Sequence, residues 1–220
     1  MLTSPVFWIA TIAVIWVLKV FIRKRRLQQR AKLIDRYPFP QTISDKIQQK
    51  YPHLSPRQTA EAIRGLREYF HICNLAGNRM VSMPSQVVDV AWHEFILFTR
   101  QYHQFCHKAL GRFLHHTPAE AMASPTLAQK GIKTAWRLAC VREGVQPKTP
   151  TRLPLLFALD SRLEIPDGFR YRLNCQGTNS TTFGDSYCAS HISCSSCAGG
   201  CGGDSGCGGD SGCGGGCGGD

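Results

Sequence analysis

The chain has 220 residues, with 26 Lys and Arg against 15 Asp and Glu, a formal net charge of +11 and eleven cysteines. That length allows one ordinary domain with appendages and leaves little room for a second. The positive surplus would suit nucleic acid, but no nucleic-acid motif is present and much of the charge gathers beside an apolar run, so nucleic acid is not an expected partner.

The apolar run is Pro5 to Ile22, almost wholly Val, Ile, Phe, Trp, Ala and Leu, with Lys19 its only charge. About 17–20 such residues suffice to cross a hydrocarbon core, so residues 1–22 are read as a transmembrane anchor. Trp8 and Trp16 suit interfacial positions, and Lys19 can snorkel. A cleaved signal peptide would carry its positive charge before the run; here Arg23-Lys24-Arg25-Arg26 follows it. The same asymmetry predicts a single span with its N-terminus out and the body cytoplasmic. Residues 23–33 then form a basic juxtamembrane arm, whose natural partner is the anionic headgroup layer.

A mainly helical domain is expected over residues 34–173. Tyr37-Pro38-Phe39-Pro40 closes the arm, and Ile43 to Tyr51 can form a short helix. Ser55-Pro56 is an N-cap followed by proline at the first helical position, opening a helix that runs to Leu75 and stops at Gly77. Met83-Pro84-Ser85 starts the longest helix, expected to reach Leu110. Ser124-Pro125 starts another toward Gly144. Beyond Pro147, Leu163–Ile165 and Phe169–Leu173 flank Pro166-Asp167-Gly168, a turn signal between two strand-like runs. A small β-hairpin or extended flap on the helices is the expectation.

Residues 174–220 form a tail rich in Gly and Cys, in which Cys-Gly-Gly-Asp-Ser-Gly occurs twice in succession from Cys201. Such glycine density is costly to order, so the tail is expected to be disordered and to bury nothing from Gly177 onward. In a reducing cytosol its thiols stay free. Cys194-x-x-Cys197, with Cys201 and Cys207 following, suits a loose thiolate site for zinc or copper(I). Compositional drift without metal, and a role in recruiting protein partners, are the other readings.

The chemistry concentrates between residues 89 and 116, which hold five of the eight histidines. At helical spacing, Val88, Ala91, Trp92, Phe95, Thr99, Tyr102, Cys106 and Ala109 make one apolar stripe. Asp89, His93, Arg100, His103 and His107 lie on a second face. Asp89 and His93 are i,i+4 neighbours able to share a metal ion or a proton. His103 and His107 form a second pair too distant to share that ion. After Gly111 the chain can turn back, bringing His115 or His116 as a third ligand. An Asp–His pair is more often a hydrogen-bonded structural pair, so a purely structural cluster stands beside the metal reading.

Asp89-x-x-Trp92-His93, followed by Tyr102, Cys106, Gly111 and His115-His116, resembles the glycine-rich domain-containing protein-like family, a group found in plants, fungi and bacteria. The likeness covers Ile34 to Gly144 and implies a shared helical fold rather than a reaction. Many members carry Trp-His-x-His; this chain has Phe95 at the last position, which removes one candidate ligand. The leading expectation is a membrane-tethered binding module for zinc or another divalent metal. The alternatives are an assembly protein with a structural His cluster, or an enzyme using His93 with Asp89 or Glu94 and Cys106 as nucleophile.

Overall fold

A computed structural model of the chain describes residues 5–116, 125–173, 186–188 and 192, the backbone alone at 5–7, 125–128 and 186–188. The fold is mainly helical: α1 (Pro5–Arg36), α2 (Gln41–Lys50), α3 (Pro56–Ala76), α4 (Gln86–Leu97), α5 (Thr99–Phe105), a π-helical turn (Cys106–Leu110), α6 (Pro125–Glu143) and α7 (Leu155–Arg162). Two short strands, β1 (Arg170–Arg172) and β2 (Ser186–Cys188), complete it.

The core is built around α3, which packs against α1, α2, α4, α6 and α7. Its start follows the capping signal: Gln58 N–H donates to Ser55 Oγ at 3.3 Å, and Ser55 N–H donates to Gln58 Oε1 at 2.9 Å. Gly77 ends it at φ 61°. Gly65 lets two helices close on it, since a Cβ there would lie 2.7 Å from Val88 Cγ2 and 2.8 Å from Leu159 Cδ2.

The helix from Ser85 is not continuous to Leu110. It breaks at Phe98 (φ −78°, ψ 57°), restarts as α5, and widens into the π turn over Cys106–Leu110. The break shifts the helical register. Thr99, placed in the apolar stripe by spacing, is therefore exposed, while Phe105 and Leu110 join Tyr102, Cys106 and Ala109 in the core.

The expected hairpin is also corrected. Leu155–Arg162 is a helix, and Leu163 to Ile165 close its C-terminus: Leu163 N–H donates to Leu159 O and Ile165 N–H to Asp160 O, each at 2.9 Å. No first strand forms there. β1 pairs instead with β2 in parallel, Tyr171 opposite Tyr187. The expectation that nothing beyond Gly177 packs is overturned as well, because β2 lies beyond that residue and Ile192, 8% exposed, joins the hydrophobic core. Cys194, Cys197, Cys201 and Cys207 lie outside the described residues.

α1 runs unbroken from the apolar run through the basic arm into the body, where Ile34 is fully buried. Among the described residues no helix is long and apolar enough to cross a membrane. From Trp8 to Ile22 the large apolar side chains of α1 are exposed.

Asp160 joins three elements. Its Oδ1 accepts from Ser85 Oγ at 2.6 Å and Val87 N–H at 3.3 Å, and its Oδ2 from Gln86 N–H at 2.6 Å and Phe169 N–H at 2.9 Å. The carboxylate thus sits on the N-terminus of α4, where orphan amides and the helix dipole favour negative charge. Burial pushes its pKa up from the ordinary carboxylate value, against the pull of these donors. Both oxygens meet only donors, so an amide NH2 has no place there. Asp160→Asn is expected to lower stability by about 2–4 kcal/mol in chemical denaturation. Truncation after Gln176 should lower the melting temperature by removing β2 and Ile192, whereas truncation after Ser193 should not; equal melting of the two chains would show that β2 and Ile192 contribute nothing.

Candidate metal centre

Three of the expected side chains meet on one surface. Asp89, on the first turn of α4, and His93, one turn on, face His116 from the loop after the π turn. His116 Nε2 lies 3.1 Å from Asp89 Oδ1 and 3.0 Å from His93 Nε2, and His93 Nε2 lies 3.8 Å from Asp89 Oδ2. One ligand atom from each residue lies within 4.8 Å of the others. Ligands bound tetrahedrally at about 2.0–2.1 Å stand roughly 3.3 Å apart; the two contacts of His116 are near that spacing, and the His93–Asp89 separation, to the other carboxylate oxygen, is longer. The side chains of Asp89 and His116 are 20% and 14% exposed, and that of His93 is half exposed. The fourth position would therefore open to solvent.

His115 does not join them; it is exposed and its ring packs on Phe113 at 4.7 Å. His103 and His107 face each other at 3.2 Å between Nε2 atoms, as a separate exposed pair. Cys106 is fully buried, and burial raises its thiol pKa, which disfavours the thiolate that nucleophilic attack needs. Open depressions along α1, at Lys32, Leu33, Arg36, Tyr37 and Pro38 and at Arg25, Gln28 and Gln29, do not reach Asp89, His93 or His116.

Trp92 and Tyr102 are more than the core residues that spacing made them. Trp92 Nε1–H donates to the Tyr102 hydroxyl at 3.1 Å, and that hydroxyl donates to the carbonyl of Leu114, two residues before His116. The Trp92 ring also meets the His116 ring edge-on at 4.5 Å. The loop is thus held by a buried relay and His116 by an aromatic wall. The Asp-x-x-Trp-His motif carried this signal, since it sets the wall next to two ligands, but the loop that meets the wall is distant in sequence.

A family model described as UCP032817-like matches residues 29–192, a span that holds all three of these side chains. The chain belongs to the UCP032817-like family. No curated protein and no solved structure matches it. The matched region begins within α1 and ends at buried Ile192, so the match includes β2 and leaves out both the apolar run and the Gly/Cys repeats. The match carries no reaction, and it does not bear on the glycine-rich domain resemblance.

Tyr102→Phe leaves Trp92 Nε1–H and the Leu114 carbonyl without their shared partner. We expect a stability loss of about 1–3 kcal/mol by denaturant titration. Increased hydrogen exchange across Arg112–His116 should accompany it.

Proposed function

We propose that this family member is a membrane-anchored binding module for a divalent transition metal, held by Asp89, His93 and His116. The single observation that carries the reading is the convergence of two imidazole nitrogens and a carboxylate oxygen at metal-edge separations. Two imidazoles and one carboxylate suit zinc and its late first-row neighbours more than magnesium or calcium, which prefer all-oxygen sets. The half-exposed position of His93 fits binding or delivery of an ion better than turnover of a bound substrate.

The anchor belongs to the same proposal. The part of the apolar run with described side chains, Trp8 to Ile22, spans about 22 Å at 1.5 Å per residue, short of the roughly 30 Å of a bilayer core. In sequence the run begins at Pro5, and Pro5 to Ile22 spans about 27 Å, enough for a thinner bilayer. What supports insertion is an exposed helix, apolar from Trp8 to Ile22 but for Thr11 and Lys19, that leads straight into four consecutive cations. The cation order favours the N-terminus out and the body in the cytoplasm. There the tail thiols, Cys194 to Cys207 among them, would remain reduced as soft secondary ligands or partner contacts.

The test is elemental analysis of the chain truncated after Ser193, which retains β2 and Ile192 and omits the cysteine repeats. One equivalent of zinc or a similar ion is expected after dialysis. His93→Ala should abolish it and His103→Ala should not. Retention should fall as pH falls, because protons compete with the metal for imidazole. A metal-free chain that loses stability on His93→Ala would make the cluster structural only.

A further inference from the structure

The docking of α1 fixes which end of the body lies next to the apolar run. α3 packs antiparallel to it. Arg67 reaches the carbonyls of Ile34 and Asp35 at 2.6 and 3.0 Å, His71 meets Asp35 at 2.7 Å, and Asn74 Nδ2 donates to Leu27 O at 3.2 Å. Each step toward the end of α3 is thus a step back along α1, which carries the exposed turn Gly77–Met80 toward Arg26 and Ile22. The α5–π segment runs the same way. Phe105 packs on Tyr37 at 4.7 Å, and Gly111 lies under the Arg30 guanidinium, where a Cβ would come within 1.8 Å of Nη2. Arg112 Nε–H donates to Gly77 O at 2.8 Å and ties the two turns together.

Charge follows this geometry. The three segments that meet there, residues 5–34, 69–88 and 95–116, contain no Asp or Glu. They hold eleven of the 26 Lys and Arg with no acid among them, whereas the other described residues set fifteen Lys and Arg against ten Asp and Glu, so positive charge is densest in these segments. Lys108 and Arg79 are exposed, and so is Met80 beside Arg79.

Resting on the anchoring reading above, we propose that this end of the body is a second membrane contact. Arg79, Lys108 and Arg112 extend the basic stretch of α1 into one surface for anionic phospholipid headgroups, with Met80 placed to enter the interface. The partner is lipid rather than nucleic acid because the surface continues an exposed apolar helix. A cationic surface at a headgroup layer gains roughly 1 kcal/mol per Lys or Arg close to it. The consequence is a body held against the bilayer in one attitude.

The experiment is backbone hydrogen exchange on the full chain in nanodiscs of phosphatidylcholine, with and without phosphatidylglycerol. Slow exchange from Trp8 to Ile22 in both discs reports the anchor itself. The proposal expects several-fold slower exchange at Gly77–Met80 and Gly111–Phe113 in anionic discs only. That slowing should be lost with added salt and in Lys108→Glu with Arg79→Gln, while the anchor stays protected. A protected anchor with turns that exchange equally in both discs overturns this surface and leaves the anchor standing. An unprotected anchor overturns both. Greater protection of the turns by a poly-uridine oligonucleotide in neutral discs than by anionic lipid would assign the cations to nucleic acid instead.

Discussion

The guanidinium of Arg67 holds the point on which the arrangement turns. It donates to the carbonyls of Ile34, Asp35 and Tyr37, at 2.6, 3.0 and 2.7 Å, and lies over the Phe39 ring at 4.9 Å. The last carbonyls of a helix have no partner within it, and one Arg fork from α3 reaches two of those of α1 and the Tyr37 carbonyl just beyond. The chain can then leave α1 through Tyr37-Pro38-Phe39 and turn two aromatic rings inward. Phe39 meets Phe95 at 5.2 Å, and Tyr37 meets Phe105 at 4.7 Å. A single charged side chain thereby joins the helix that carries the apolar run to the core that carries the histidines. The connection between them is a rigid helix, not a slack tether.

From that junction the position of the candidate centre follows. The aromatic cluster fixes α4 and α5 through Phe95 and Phe105, and Asp160 fixes the first turn of α4, where Asp89 sits. The helix break at Phe98 and the π turn then bring the chain to Gly111, whose φ of 72° ends the segment. π turns recur at functional sites because one extra residue per turn re-aims the chain beyond it. Here the re-aimed chain presents the Leu114 carbonyl to Tyr102, and then His116 to the cluster. Two of the three side chains are set by a helix and the third by a buried hydroxyl. Asp89 and His116 are the more buried pair, and His93 is half exposed.

Much of the fold was legible where local chemistry decides it. Ser55-Pro56 and Gly77 bracket α3 as capping rules require, and Ser85 begins α4. Asp89 and His93 could be paired from spacing alone, and Gly111 marked the return of the loop. What spacing could not reach was tertiary. Nothing within residues 83–110 announces the break at Phe98, on either side of which Phe95 and Phe105 both meet Tyr37 and Phe70 from elsewhere in the chain. Pro166-Asp167-Gly168 reads as a hairpin turn, yet Ile165 N–H is taken by the Asp160 carbonyl and β1 finds a parallel partner beyond the sequence-local window. The choice of His116 over His115 rests on the Trp92 wall and the Leu114 anchor, both contacts across the fold.

The balance of charge gives the last step. The three acid-free segments carry eleven Lys and Arg, and the other described residues carry fifteen against ten Asp and Glu, so the body is net positive outside them too and most strongly positive beside the basic stretch of α1. A polyanion is drawn most strongly to that end, and the attraction orients the molecule as it acts. Asp89 and Glu94 are the first acidic residues reached on either side of His93, between the second and third acid-free segments. Those carboxylates set local negative charge beside His93, while His116 comes from the third acid-free segment, four residues after Arg112, so the candidate centre and the basic end share one loop.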